Sequence, residues 1–230
     1  MTFNGLRWLV TARRHPSAWL LTVQLLGVFL YPMMESTDAG RALFGVFGMV
    51  VLALALWVVN RSPSSLRLAL LLAVPAVVLS LAAAITGNGD LLVFAHLLES
   101  ALYFYTAASL TAYMLQDHKV TRDELFAAGA TFTLLAWAFA FAFSVCQQWY
   151  PGSFIAAVDP QAPRTWMELL FLSFSVLSAV GLSDIIPIQP QARALVMLES
   201  FAGVMYIALV VSRLIGLTTL RMASRDSGSD

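Results

Sequence analysis

The chain has 230 residues, 60% of them hydrophobic and 11% charged, with a mean hydropathy of +0.80. A soluble domain carries about 25% charged residues, so the composition excludes a soluble globular fold and implies a polytopic membrane protein. Basic and acidic residues balance at 13 each, so there is no basic surplus of the kind a nucleic-acid binder carries.

The N-terminal residues 1–16 have a basic start and no small-residue cleavage site after the apolar run, so they read as a cytoplasmic, interfacial segment before a retained first span. Six apolar runs then follow, at about 17–34, 42–59, 66–85, 91–115, 124–149 and 192–217. Each is close to the roughly 20 residues needed to cross a hydrocarbon core of about 30 Å. A shorter run, about 165–178, lies between the fifth and sixth and is too short to cross. The expected fold is all-α, with six transmembrane helices and a re-entrant helix and loop between helices 5 and 6. Residues 218–230 read as a cytoplasmic tail. No internal repeat is evident, and the one cysteine, Cys146, allows no intrachain disulfide.

Lysine and arginine set the orientation. One side carries Arg7, Arg13, Arg14, Arg61, Arg67, Lys119, Arg122, Arg213, Arg221 and Arg225, while the other carries only Arg41, Arg164 and Arg193. That bias places both termini in the cytoplasm. Trp8, Trp19 and Trp57 then fall near the inner interface, with Trp149 and Tyr150 near the outer one. Trp137 lies mid-span and is expected to pack against protein. Arg213, near the inner end of the last span, is expected to snorkel to the interface.

The short run is preceded by "SFIAAVDPQAPRTWMEL", where Pro160 and Pro163 stop any helix before Thr165. Thr165 and Glu168 have the T-x-x-E spacing of a capping box, which marks a helix start there. After the helix comes a polar break, "SAVGLSDIIP". Irregular backbone at membrane depth is tolerated only where it is buried in protein or lines water.

A span, a turret, a short helix, a polar loop with Gly and Asp, and a span with a mid-helix Gly together resemble the pore module of tetrameric potassium channels. The family's filter reads T-T-V-G-Y-G-D. The aligned positions here are Ser178, Ala179, Val180, Gly181, Leu182, Ser183 and Asp184. Pro187, Arg193 and Gly203 follow the Asp at the family's spacings, Gly203 where a gating hinge often lies. The specific resemblance is to small bacterial six-span members and covers residues 119–217. It implies a pore domain at 119–217 and a voltage-sensor-like domain of four helices at 17–118. It also implies a homotetramer in the lipid bilayer of the bacterial inner (plasma) membrane.

The same resemblance implies that residues 178–184 form an ion-conduction filter passing monovalent cations such as K+ or Na+, with no cofactor, no bound metal and no nucleic-acid partner. In the family, four chains supply carbonyl rings that replace an ion's hydration shell. Ala179 lacks the threonine hydroxyl of the innermost ring, Leu182 replaces tyrosine, and Ser183 replaces the second filter glycine. If that last position needs positive φ, a non-Gly residue there costs about 1–2 kcal/mol. The expectation is passive cation conduction with a weak or altered potassium preference. Asp184 would form a ring of carboxylates at the outer mouth. The C-terminal end of the short helix would point its partial negative charge at the pore.

Two acids lie inside spans, Glu99 in the fourth and Glu199 in the sixth. Such acids rarely face lipid. Glu99 is expected to bond His96 or Tyr103, and Glu199 to brace the back of the filter, so both read as intramembrane polar support. Gly203 reads equally as a hinge or as a close-packing residue. The run 91–115 has no Lys or Arg, so steep voltage gating is not expected. Two alternatives remain. One is a channel-like membrane subunit that does not conduct. The other is an intramembrane hydrolase using the Ser183 hydroxyl, which the absence of histidine from the last two spans disfavours, so no catalytic residue is assigned.

Overall fold

A computed structural model describes residues 16–35, isolated positions between 48 and 57, 66–116 and 122–226. The expected second span at 42–59 and the interfacial segment at 1–15 therefore lie largely outside the described residues.

The described chain is built from helices α1 (Pro16–Glu35), α2 (Leu66–Thr86), α3 (Gly89–Gln116), α4 (Arg122–Trp149), α5 (Trp166–Leu177) and α6 (Pro190–Asp226). Two three-residue strands, β1 (Phe154–Ala156) and β2 (Ile185–Pro187), lie on either side of α5. Four helices among the described residues are long and apolar enough to cross a membrane: α2, α3, α4 and α6. The protein is therefore a largely helical membrane protein. The first expected span is a helix of 20 residues. The last helix runs on to Asp226, several turns past the expected end of the sixth span.

Helices α2 and α3 form a tight antiparallel hairpin. Gly87, at φ 67°, closes α2 by donating to the Ala83 carbonyl at 2.8 Å. The Asn88 side chain then caps α3 by accepting from the Asp90 N–H at 2.9 Å. Next in the chain, α4 is the hub of the molecule and packs against α1, α3, α5 and α6. Its span is 61% buried, against 22% for α2 and 17% for α6. Small residues explain this closeness. Ala127, Ala130, Ala136, Ala138 and Ala140 on α4 are all fully buried, and small side chains let helix backbones approach.

An aromatic cluster ties the hub to the short helix. Trp137 is 1% exposed, as expected of a residue packed in protein, and its ring lies 5.9 Å from Tyr103 and 5.1 Å from Trp166. Trp166 opens α5 and also meets Tyr31 of α1 at 5.4 Å and Phe141 at 5.6 Å. The first turn of α5 is thus wedged between α1 and α4.

Candidate functional site

The helix α5 has 12 residues. At 1.5 Å per residue it is about 18 Å long, well short of a membrane core. Its start is the expected capping box: the Glu168 N–H donates to the Thr165 hydroxyl at 3.3 Å, and the Thr165 N–H donates to the Glu168 carboxylate at 2.6 Å. An N-terminal cap of this kind stabilises a helix by about 1 kcal/mol.

The segment holding α5 leaves and returns at one place. β1 pairs antiparallel with β2, with Ile155 opposite Ile186. Beyond the strands, the Ile188 N–H donates to the Ser153 carbonyl at 2.8 Å, and the Gln189 amide donates to the Pro151 carbonyl at 3.0 Å. The C-terminal end of α4 and the N-terminal end of α6 are therefore tied together, and everything between them hangs from that tie.

Sequence reasoning missed the residue that orders the loop between β1 and α5. Arg164 is buried, and its guanidinium donates to the carbonyls of Asp159 and Ala162 and pairs with Glu168 at 3.1 Å. Its backbone is bracketed by Gln147 of α4: Arg164 N–H donates to the Gln147 side-chain oxygen at 2.7 Å, and the Gln147 amide donates to the Arg164 carbonyl at 3.0 Å. The available signal was the spacing of Arg164 and Glu168, which puts opposite charges one helical turn apart.

At its other end, α5 winds into the polar loop. Ser178 N–H donates to Phe174 O, Ala179 N–H to Val176 O, and Gly181 N–H to Ser175 O, at 3.0–3.1 Å. The last carbonyls of α5 are thereby largely capped by the loop itself. Gly181 has φ 69°, which its lack of a side chain allows. The expectation for Ser183 needs correction. Ser183 is not among the described non-Gly residues with positive φ, which are Asp159 and Ala179. Ala179, at φ 59°, carries the left-handed turn. Ser183 instead uses its side chain, whose oxygen accepts from the Ile185 N–H at 3.1 Å and turns the chain into β2. Val180 and Leu182 are exposed on the single chain, at 68% and 74%, and Asp184 is exposed beside them.

Of the two intramembrane acids, Glu99 has a partner other than the expected His96. Glu99 accepts from the Ser80 hydroxyl of α2 at 3.1 Å. His96, one turn earlier, is paired with Ser144 of α4 at 3.0 Å. Glu99 and His96 therefore bind the hairpin together and bind it to the hub, rather than binding each other. Glu199 is fully buried and lies behind α5, where it accepts from the Ser173 hydroxyl. Gly203 sits inside an unbroken α6, where a Cβ would overlap the carbonyl of Leu177. Further along α6, Arg213 is only 16% exposed and pairs with Glu124 of α4 at 3.4 Å. It has a protein partner where only snorkelling was anticipated.

Most of the hub helix, the short capped helix, the polar loop and most of the last helix fall within one stretch of similarity to known proteins. Residues 129–219 match the family model described as an ion channel. That similarity falls on the same segment as the motif reading and supports it. No curated protein and no solved structure matches the chain.

Proposed function

We propose that four copies of this chain surround a common axis in the bacterial inner membrane and conduct monovalent cations passively through a pore lined by residues 178–184. The observation that carries this reading is the placement of that loop. It is an exposed polar turn at the end of a helix too short to span, within the segment that matches an ion channel. In this reading α5 is re-entrant, and the strands β1 and β2 mark its outer mouth. Both termini lie in the cytoplasm, as the lysine and arginine bias favours.

Exposed apolar surface supports the assembly. Along α6, Met197, Leu198, Phe201, Val204 and Met205 are all more than half exposed on the single chain, and Phe171 of α5 is 47% exposed. Neighbouring copies would cover this surface and bring the four loops together. Asp184 would then place a ring of carboxylates at the outer mouth, and such rings attract cations.

The filter chemistry favours weak discrimination. Ala179 has no hydroxyl to offer an ion, and its backbone is left-handed. Ser183 spends its side-chain oxygen on Ile185. Potassium selectivity in the family depends on stacked carbonyl rings, and this loop preserves them only in part. The test is ion flux from purified protein in liposomes, with potassium and sodium on opposite sides. Flux of both ions with a modest preference for potassium is the expected result. Intact tetramers without flux would support the non-conducting subunit instead. Labelling of Ser183 by a fluorophosphonate would revive the hydrolase.

A further inference from the structure

Two residues of α6 meet two residues of α5 in matching register. Oε1 of Glu199 accepts from the Ser173 hydroxyl, which also faces the Ala136 carbonyl of α4 at 2.8 Å. Four residues further along α6, Gly203 lies against the backbone of Leu177, itself four residues after Ser173. Residues at i and i+4 share a helix face. The two contacts therefore form a single seam between the helices, polar at one end and backbone-close at the other.

The seam stops where the loop begins. Leu177 is the last residue of α5, and the N–H groups of Ser178, Ala179 and Gly181 fold back onto carbonyls at 174–176. Any shift of the last turn of α5 must therefore move the loop. The seam has one expensive component: a carboxyl group buried inside a membrane helix. An apolar residue would fill the space without that cost, but it could not hold a hydroxyl at a fixed register.

We infer that Glu199 and Gly203 form a seat for the last turns of α5 that keeps the 178–184 turn ordered, which makes both of them positioning residues for ion discrimination. The claim about order stands on the contacts alone, while the claim about discrimination rests on the proposed pore.

The test uses the full chain in lipid nanodiscs and reads amide hydrogen exchange of residues 178–184. Ser173→Ala and Glu199→Ala should each speed that exchange about tenfold, the loss expected when a buried hydrogen bond is removed. The double variant should add little to either single change, because both remove the same contact. Glu199→Gln keeps an acceptor for Ser173 and should retain protection. Gly203→Ala should also speed exchange, because its methyl meets the Leu177 carbonyl. Unchanged exchange over residues 89–149 shows that a variant is folded. Should Glu199→Ala fail that control, Ser173→Ala carries the test alone.

Unchanged exchange at 178–184 in folded Ser173→Ala would overturn the seat. Sodium and potassium flux from the same preparations separates the two claims. A wild-type protein with no flux but a turn that loosens in Ser173→Ala would leave the seat standing and remove the pore. A loosened turn with an unchanged sodium-to-potassium flux ratio would overturn the positioning role.

Discussion

The guanidinium of Arg164 lies 3.1 Å from one oxygen of Glu168, whose other oxygen accepts the Thr165 N–H at 2.6 Å. One carboxylate thus closes the capping box of α5 and anchors the arginine that gathers the loop between β1 and α5. Arg164→Ala would remove the donor shared by the Val158, Asp159 and Ala162 carbonyls as well as the partner of this acid. Losing even one hydrogen bond to a charged group costs about 1.5–3 kcal/mol. The variant should melt at a clearly lower temperature than wild type in the same detergent, and Arg164→Lys should recover only part of the loss, because an ammonium lacks the planar fork.

Ala179 bears the left-handed turn of the loop, at φ 59°. Glycine adopts that conformation freely, whereas an L-residue pays about 1 kcal/mol or more. Ala179→Gly should therefore raise the melting temperature. Ala179→Thr restores the family's hydroxyl but adds a β-branch at positive φ, and it should lower the melting temperature rather than restore a potassium filter. A threonine variant both stabler and more potassium-selective than wild type would refute this reading.

In the proposed pore, Asp184 should act through its field at the mouth. Asp184→Asn should reduce single-channel conductance about twofold in dilute salt, where the Debye length is about 30 Å at 0.01 M. The difference should shrink near 1 M salt, where that length is about 3 Å. An equal reduction at both salt concentrations would point to a structural role in the loop instead.

Arg213 joins α6 to Glu124 in the first turn of α4 at 3.4 Å, with both side chains largely buried. Exchanging the two charges should be milder than reversing either one. A double-mutant cycle should return a coupling of about 1 kcal/mol, read as the thermal stability of the assembled protein. Glu124 also sits in the first turn of α4, where a negative charge suits the helix dipole, so the exchanged pair should not be fully equivalent.

The helix α3 carries no arginine or lysine between Leu91 and Leu115. Voltage dependence needs charges that move through the membrane field. Current recorded between strongly negative and positive potentials should change open probability only weakly. A steep voltage dependence would require moving charge that this helix lacks.

Local chemistry made part of the site legible in the sequence. The Thr165–Glu168 box follows from a three-residue spacing, and the two prolines before it fix where α5 can begin. The break at Gly181 was visible because glycine interrupts an apolar run. What depended on tertiary packing was not legible. Nothing near Glu99 in the chain reveals Ser80 as its partner, because the hairpin must first close at Gly87. Alignment raises the question of positive φ at Ser183, yet it is Ala179 that adopts it. A motif aligns residues but does not carry their φ angles. The strands β1 and β2 were missed because three residues are too few to show a period of two.

The most direct test is a particle image of the protein in a lipid disc. Fourfold symmetry is predicted, with residues 178–184 of each chain facing the central axis and ion density along it. A monomer or dimer, or a tetramer whose axis lies away from that loop, would contradict the central claim.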